Sequence, residues 1–359
     1  MGVLYLTLLL TYISAFISRI SKNRKVLSIF YCFLVFGIIF LVSALRGDTI
    51  GDTFQYKHSY SLLYKYKFST EGDWGFNLFQ YFLYKINKEP QFLIIITSLI
   101  TVGFNIYNLY HYCSYMELEI YMYITSGYFI TSMNGIRQSM LAAVVFTFTR
   151  IIEKENTILF IFAVILASPF HQSVLILIPV YFIVKQEAWS KTTVAVIIVS
   201  CIGFMGFSTI FPALLGTLED TNYGYYANQT DMGGSSFMRV IVNAIPVILA
   251  YIKRKELKEN WPKSNIFVNM ALINVIFVAF GMYNWIFNRF TIYFQLYNFV
   301  LIPYIIQHCF NGKERRLIYV GFLLCYFIFF YKEQVLSLNI NYTSKYLDFN
   351  KIFYENVGG

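Results

Sequence analysis

Apolar runs of bilayer-spanning length recur from residue 4 to residue 331, separated by short polar stretches. Among them are 26–45, 92–110, 158–166, 192–215, 266–280 and 317–331. A transmembrane helix needs roughly 20 mostly apolar residues, fewer where neighbours shield it. The strict two-residue alternation of a spanning strand is absent, so the pattern predicts an all-α, polytopic integral membrane protein rather than a barrel. About 12 transmembrane helices are expected, near 3–18, 26–45, 91–110, 119–133, 136–151, 157–168, 172–185, 192–211, 237–252, 266–283, 290–309 and 317–331. The first stretch lacks a basic leader and a small-residue cleavage site, so it is expected to be a retained span and not a signal peptide. Ser168-Pro169 breaks the sixth span near one surface.

Composition agrees with this pattern. The chain of 359 residues is 57% hydrophobic and 13% charged, with a mean hydropathy of +0.55. A soluble domain would carry about 25% charged residues. The net charge of +9 does not point to nucleic acid, because the basic residues lie in short clusters between the apolar runs. Walking through the spans with the N-terminus outside collects sixteen of the 28 Lys and Arg in short inward loops, at 19–25, 150–154, 185–191, 253–263 and 313–316. All six aspartates fall on the outer side. The Lys/Arg bias supports this orientation. The five cysteines are scattered with no C-x-x-C spacing and read as small apolar fillers; no metal site is expected.

The domain expected is a single helical unit over 1–335, with outer loops at 46–88 and 212–236 and an outer polar tail at 336–359. Within the first loop, residues 74–84 are apolar and aromatic but too short to cross, which predicts an interfacial or partly re-entrant helix. The 212–236 loop, with its tyrosines and Gly233-Gly234, reads as a flexible lid or a saccharide contact. No internal repeat is evident, which weakens an inverted-repeat transporter.

The outer face holds the polar chemistry. Arg46-Gly47-Asp48-x-x-Gly51-Asp52-x-x-x-Tyr56 follows the second span; its glycines let the backbone turn so that Arg46 and the two acids converge. Two readings of Arg46 stand: a guanidinium fork for phosphate oxygens, or a loop brace paired with Asp48 or Asp52. Asn134-Gly135-Ile136-Arg137-Gln138 opens the fifth span, where free N–H groups add to Arg137 as an anion site; the alternative is a cap with a snorkelling arginine. His171-Gln172 lies at the Pro-broken turn, so His171 is either a base or a hydrogen-bonded packing residue. Asn288-Arg289-x-x-x-Tyr293 opens the eleventh span in the manner of Arg137. Arg46, Arg137 and Arg289 together would clamp a diphosphate. Asn134, Gln138, Gln172 and Tyr293 are the neighbouring substrate-binding candidates. Most of the aromatic residues read as lipid-facing or packing groups.

Arg46-Gly-x-x-x-Gly-Asp52-x-x-x-Tyr56, Asn134-Gly-Ile-Arg137-Gln138, Phe170-His171-Gln172-Ser173 and Arg289-Phe290-x-x-Tyr293-Phe294 together resemble the EpsG family, Wzy-type polymerases of bacterial surface polysaccharide. The similarity covers roughly residues 26–310. It implies a glycosyltransferase of GT-C-like architecture in the bacterial inner membrane, with an extracytoplasmic, periplasmic active face. The implied donor is an undecaprenyl-diphosphate-linked oligosaccharide, and the growing glycan passes to a hydroxyl of the next lipid-linked unit with inversion. The three arginines would meet the charge on the leaving diphosphate without a metal. Asp52 and His171 are the candidate bases, with Asp48 behind them. Expected partners are that lipid-linked oligosaccharide and the lipid bilayer, with a chain-length regulator and a flippase as further candidates; no cofactor and no nucleic acid are expected. Rival readings are a flippase or transporter of the same lipid-linked sugar, an O-antigen ligase and, more weakly, a membrane acyltransferase.

Overall fold

The computed structural model describes residues 1–65, 72–207, 209 and 234–347. Among these residues every regular element is helical. In chain order they are α1 (Gly2–Ile20), α2 (Lys25–Ala44), α3 (Thr53–Ser61), α4 (Trp74–Ile86), α5 (Pro90–Tyr112), α6 (Met116–Thr125), α7 (Tyr128–Asn134), α8 (Ile136–Phe146) and α9 (Thr149–Glu153). There follow α10 (Thr157–Ala167), α11 (Leu177–Val184), α12 (Lys191–Met205), α13 (Phe237–Ile252), α14 (Arg254–Asn260), α15 (Ser264–Phe280), α16 (Ile286–Cys309) and α17 (Gly312–Phe330).

Local chemistry sets several of the starts. The Asn156, Ser190 and Ser236 side chains each accept a hydrogen bond from a backbone N–H of the turn they precede, opening α10, α12 and α13. Pro90 stands at the first position of α5, where its missing N–H costs nothing.

Among the described residues, four helices are long and apolar enough to cross a bilayer: α1, α2, α5 and α17 with its continuation to Ser337. Shorter apolar helices, α10, α11, α12, α13 and α15, complete the bundle. The chain is a membrane protein, as its outer surface also requires. Val26, Ile158 and Met205 are 84%, 84% and 83% exposed, and apolar side chains cover the outer faces of α1, α2, α10, α12, α13 and α17. Continuous apolar surface of this extent belongs against lipid. At the centre lies α16, buried along most of its length and packed by α6, α8, α13 and α15. A helix apolar all round belongs inside a bundle. Around it, α1 packs on α2 and α6, and α5 on α2 and α8.

Two expected spans are broken. The 119–133 span is α6 and α7, separated at Gly127, whose φ of 83° suits only glycine and whose Cα faces the Gln334 amide. The 136–151 span is α8 and α9, interrupted at Thr147 and Phe148. The helix expected at 74–84 is α4, which packs through Phe76 and Leu83 onto Leu93 and Ile94 of α5 and Ile136 and Met140 of α8. The 212–236 loop, apart from 234–236, and the tail beyond 347 lie outside the described residues.

The polar connections collect at two ends. One end carries the basic loops, laced by Lys263 Nζ to the Glu153 carbonyl at 2.7 Å and by Lys258 with Glu187 at 3.1 Å. The other gathers residues 46–52, 134–137, 169–173 and 284–293. Residues 338–347 lie across it: the Tyr342 hydroxyl donates to the Val42 carbonyl at 2.7 Å, and the Gly47 N–H donates to the Thr343 carbonyl at 2.7 Å.

Candidate functional site

Asp73 is the hub of the second end. Its Oδ2 accepts from Arg137 Nη1 at 2.9 Å and lies 2.8 Å from His171 Nδ1; its Oδ1 accepts from the Gln172 N–H at 3.2 Å. Three donors from two distant segments therefore converge on one carboxylate. Residue 73 precedes the first turn of α4, and that turn is docked hard on the Pro-broken corner. The Gly75 N–H donates to the Pro169 carbonyl at 2.8 Å, and a Cβ at Gly75 would lie 2.9 Å from Pro169. Only glycine lets the backbones approach so closely. That contact fixes Asp73 beside His171.

Burial acts to raise the Asp73 pKa, but the hydrogen bond and charge of His171, the charge of Arg137 and the Gln172 N–H outweigh it and hold the carboxyl below its ordinary value. An ionised carboxylate only accepts, so in the neutral imidazole the proton sits on Nδ1. The Nε2 lone pair of His171 is then the free basic position. His171 keeps 20% and Arg137 37% of its side-chain surface exposed, so both can be reached from outside. Arg137 also faces the rings of Tyr56 and Phe76, and its Nε donates to the Tyr56 hydroxyl at 3.4 Å.

A second network ties α8 to α16. Gln138 Nε2 donates to the Arg289 carbonyl at 2.8 Å and to Ser173 Oγ at 3.3 Å, and the Ser173 and Tyr293 hydroxyls are 2.9 Å apart. Gln138, Tyr293 and the backbone of Arg289 are thus drawn to the segment that follows His171. The Arg289 guanidinium stacks over the Trp285 ring at 5.0 Å and forms no ion pair with the described residues. Gln172 contributes its backbone N–H, and its side chain is exposed.

Arg46 lies elsewhere. It is 1% exposed, and its fork is used within the fold: Nε to Thr53 Oγ1 at 3.0 Å, Nη1 to the Ser43 carbonyl at 2.5 Å and to Ser98 Oγ at 3.1 Å, Nη2 to the Met133 carbonyl at 3.0 Å. Burial lowers its pKa to about 10, so it remains charged at neutral pH. It joins the end of α2 to α5 and α7, with neither Asp48 nor Asp52 as its partner. Asp48 is ion-paired with Lys57 at 2.7 Å, and its side chain is about half exposed. Asp52 precedes α3, and its N–H donates to Asn134 Oδ1 at 2.9 Å. Gly51, at φ 48°, faces the same Asn134 side chain so closely that no Cβ fits. Asn134 therefore holds the 46–52 loop against α7.

The structure brings Arg137, Gln138, His171, Gln172, Arg289 and Tyr293 into two linked networks, and places Arg46, Asp48, Asp52 and Asn134 in the bracing of the adjoining loop. The residue that the sequence pattern does not reveal is Asp73. Its one signal is an aspartate immediately before a short amphipathic helix, the place of a helix cap, and here it caps nothing with its side chain. Among the described residues no three His, Cys, Asp or Glu side chains converge; the groups offered to an anion are guanidiniums.

The sequence model of the EpsG family matches residues 29–346. The chain therefore belongs to the EpsG family, a family of Wzy-type polysaccharide polymerases. Searches of curated proteins and of solved structures found no match.

Proposed function

We propose that this chain polymerises a surface polysaccharide at the Asp73–His171–Arg137 cluster, transferring the growing glycan from a lipid diphosphate to a hydroxyl of the next lipid-linked repeat. Undecaprenyl diphosphate is the carrier expected of the family. The site faces the extracytoplasmic side of the inner membrane, with the basic loops on the cytoplasmic side in keeping with the charge rule. About twelve crossings in a GT-C-like arrangement fit the helices and the paired short segments.

In this reading Asp73 holds Nδ1 of His171, and Nε2 takes the proton of the acceptor hydroxyl. The oxygen attacks the anomeric carbon and forms the new C–O bond. The bond from that carbon to the diphosphate oxygen breaks, and the diphosphate leaves with the electron pair. Attack opposite the leaving group inverts the anomeric centre. Arg289 and the exposed edge of Arg137 receive the charge developing on the diphosphate. Gln138, Ser173 and Tyr293 set the distance between Arg289 and His171. Arg46, Asp48, Asp52 and Asn134 position the loop beneath the site.

The single observation that carries this reading is the imidazole oriented by a carboxylate next to a guanidinium, on a family scaffold that joins sugars. The test is deletion of the gene in its host, complemented with wild type or His171→Ala. A glycan ladder collapsing to one repeat in both the deletion and the variant supports polymerase action. Loss of all surface glycan points to flipping or ligation, and a normal ladder with His171→Ala removes the assignment of the base.

A further inference from the structure

A second polar recess lies at the opposite end, among the basic loops. It is a cavity of about 240 Å³ between the 185–190 turn, the end of α13, α14 and the start of α15. Its floor is apolar and buried, formed by Ala250, Leu257 and Val268. Arg254, Lys255 and Lys258 line it against a single carboxylate, Glu187, which Lys258 meets at 3.1 Å. Arg254 and Lys255 form no ion pair with the described residues. Ser264 also lines the cavity; the residue is 3% exposed, and its hydroxyl makes no hydrogen bond to a described residue. The Ser264 hydroxyl is open to the cavity, where it can donate to an oxygen of a bound group beside a wall that carries excess positive charge.

The rim has the character of a bilayer interface. Trp189, at φ 66°, is held in the left-handed region that a bulky residue rarely adopts, and its ring packs on Tyr251 at 5.0 Å. The Arg254 guanidinium stacks on the same Tyr251 ring at 4.5 Å. Ile248 and Ile252 of α13, the helix that contributes Ala250 to the floor, and Val194 and Ile198 of α12, which follows the 185–190 turn, are exposed apolar residues suited to hydrocarbon chains. The cavity is roomy enough to hold several waters or a small polar group.

We infer that this cavity is a binding site for the phosphate-bearing head group of an anionic phospholipid, with its acyl chains laid on α12 and α13. Cations near a membrane surface attract anionic lipids, each changing occupancy by about fivefold. The buried floor and the Ser264 hydroxyl make this a site and not a diffuse field.

The experiment places the full chain in nanodiscs of phosphatidylcholine, alone or mixed with phosphatidylglycerol, and reads retained lipid by native mass spectrometry. Wild type retains one phosphatidylglycerol in preference to phosphatidylcholine. Lys255→Gln and Arg254→Gln, both at exposed positions, each lower that retention about fivefold. Ser264→Ala also lowers it, while Lys313→Gln with Arg316→Gln, on the same end but away from the cavity, leaves it unchanged. Equal retention of the two lipids overturns the inference. So does an equal loss in the Lys313/Arg316 variant, which would make the effect general surface charge. Displacement of the retained lipid by millimolar inorganic phosphate would assign the cavity to free phosphate and overturn the lipid reading.

Discussion

Nδ1 of His171 lies 2.8 Å from Oδ2 of Asp73, a contact made across 98 residues of chain. The same carboxylate oxygen takes Nη1 of Arg137 at 2.9 Å. One small side chain thus orients the candidate base and restrains the candidate anion receptor. Removing it would disturb both at once, while removing either partner would leave the other in place.

Asp73→Asn keeps the size but presents an amide that need not accept from Nδ1, so the imidazole loses its fixed tautomer. Polymerisation by the purified protein on a lipid-linked repeat should fall by about 10²–10⁴-fold, the range for losing an oriented base. Nitrogen chemical shifts of labelled His171 report the tautomer directly. A wild-type rate and an unchanged His171 spectrum in Asp73→Asn would exclude the dyad.

Arg289 should behave as a ligand-facing cation. Arg289→Ala should weaken binding of a lipid diphosphate by about 1.5–3 kcal/mol, the scale of a charged hydrogen bond. Thermal unfolding in detergent should barely change, because the guanidinium makes no ion pair with the described residues. Arg289→Lys should recover part of the binding and lose the bidentate share. Binding measured with a fluorescent carrier analogue decides it: unaltered affinity in the Ala variant would remove Arg289 from the anion site.

Arg46 should show the reverse profile. Arg46→Met leaves the Ser43 and Met133 carbonyls without their donor in a buried place, at about 1–3 kcal/mol for each unsatisfied group. Arg46→Lys cannot reach the five acceptors of the guanidinium at once and should also destabilise. The midpoint of thermal unfolding should drop in both, and carrier affinity in the folded fraction should hold. A stable Arg46→Met protein with weakened carrier binding would return Arg46 to the substrate.

The pH response has a defined sign. Asp73 has its pKa depressed in the folded protein, since its hydrogen bonds and the neighbouring charges outweigh burial. Its contribution is fully present above the unfolded value of about 3.9 and is lost as the pH falls through the folded one. Between pH 7 and 5 the tie from Asp73 to Arg137 should therefore persist, and an acid limb should begin below about pH 4. Hydrogen exchange at the Gln172 amide, which donates to Asp73 Oδ1, checks this. The Asp73→Asn variant should lack the limb, and an acid limb retained in that variant would assign it to another group.

The apolar pattern reached the helices well. The expected 26–45, 157–168 and 237–252 correspond to Lys25–Ala44, Thr157–Ala167 and Phe237–Ile252. It missed the break at Gly127 because a lone glycine in an apolar run costs only about 1 kcal/mol, and the constraint there comes from Gln334, far down the chain. The polar residues at one end were legible as a group, since a charge beside lipid is expensive wherever it points. Their individual roles were not. Arg46 and Arg289 each stand at the end of an apolar run, and nothing local distinguishes a guanidinium folded into the bundle from one turned outward. The role of Asp73 is hidden for a related reason: its partners lie 64 and 98 residues downstream, and no spacing announces them.

The segment at 338–347 has a consequence for how the chain is made. Tyr342 reaches back 300 residues to Val42, Ser344 reaches 299 to Leu45, and Thr49 meets Asn341. During synthesis the second helix enters the bilayer long before those late residues leave the ribosome. The corner after that helix is therefore fastened last, and a chain cut before residue 340 keeps α1 to α17 but leaves this end of the protein unsewn.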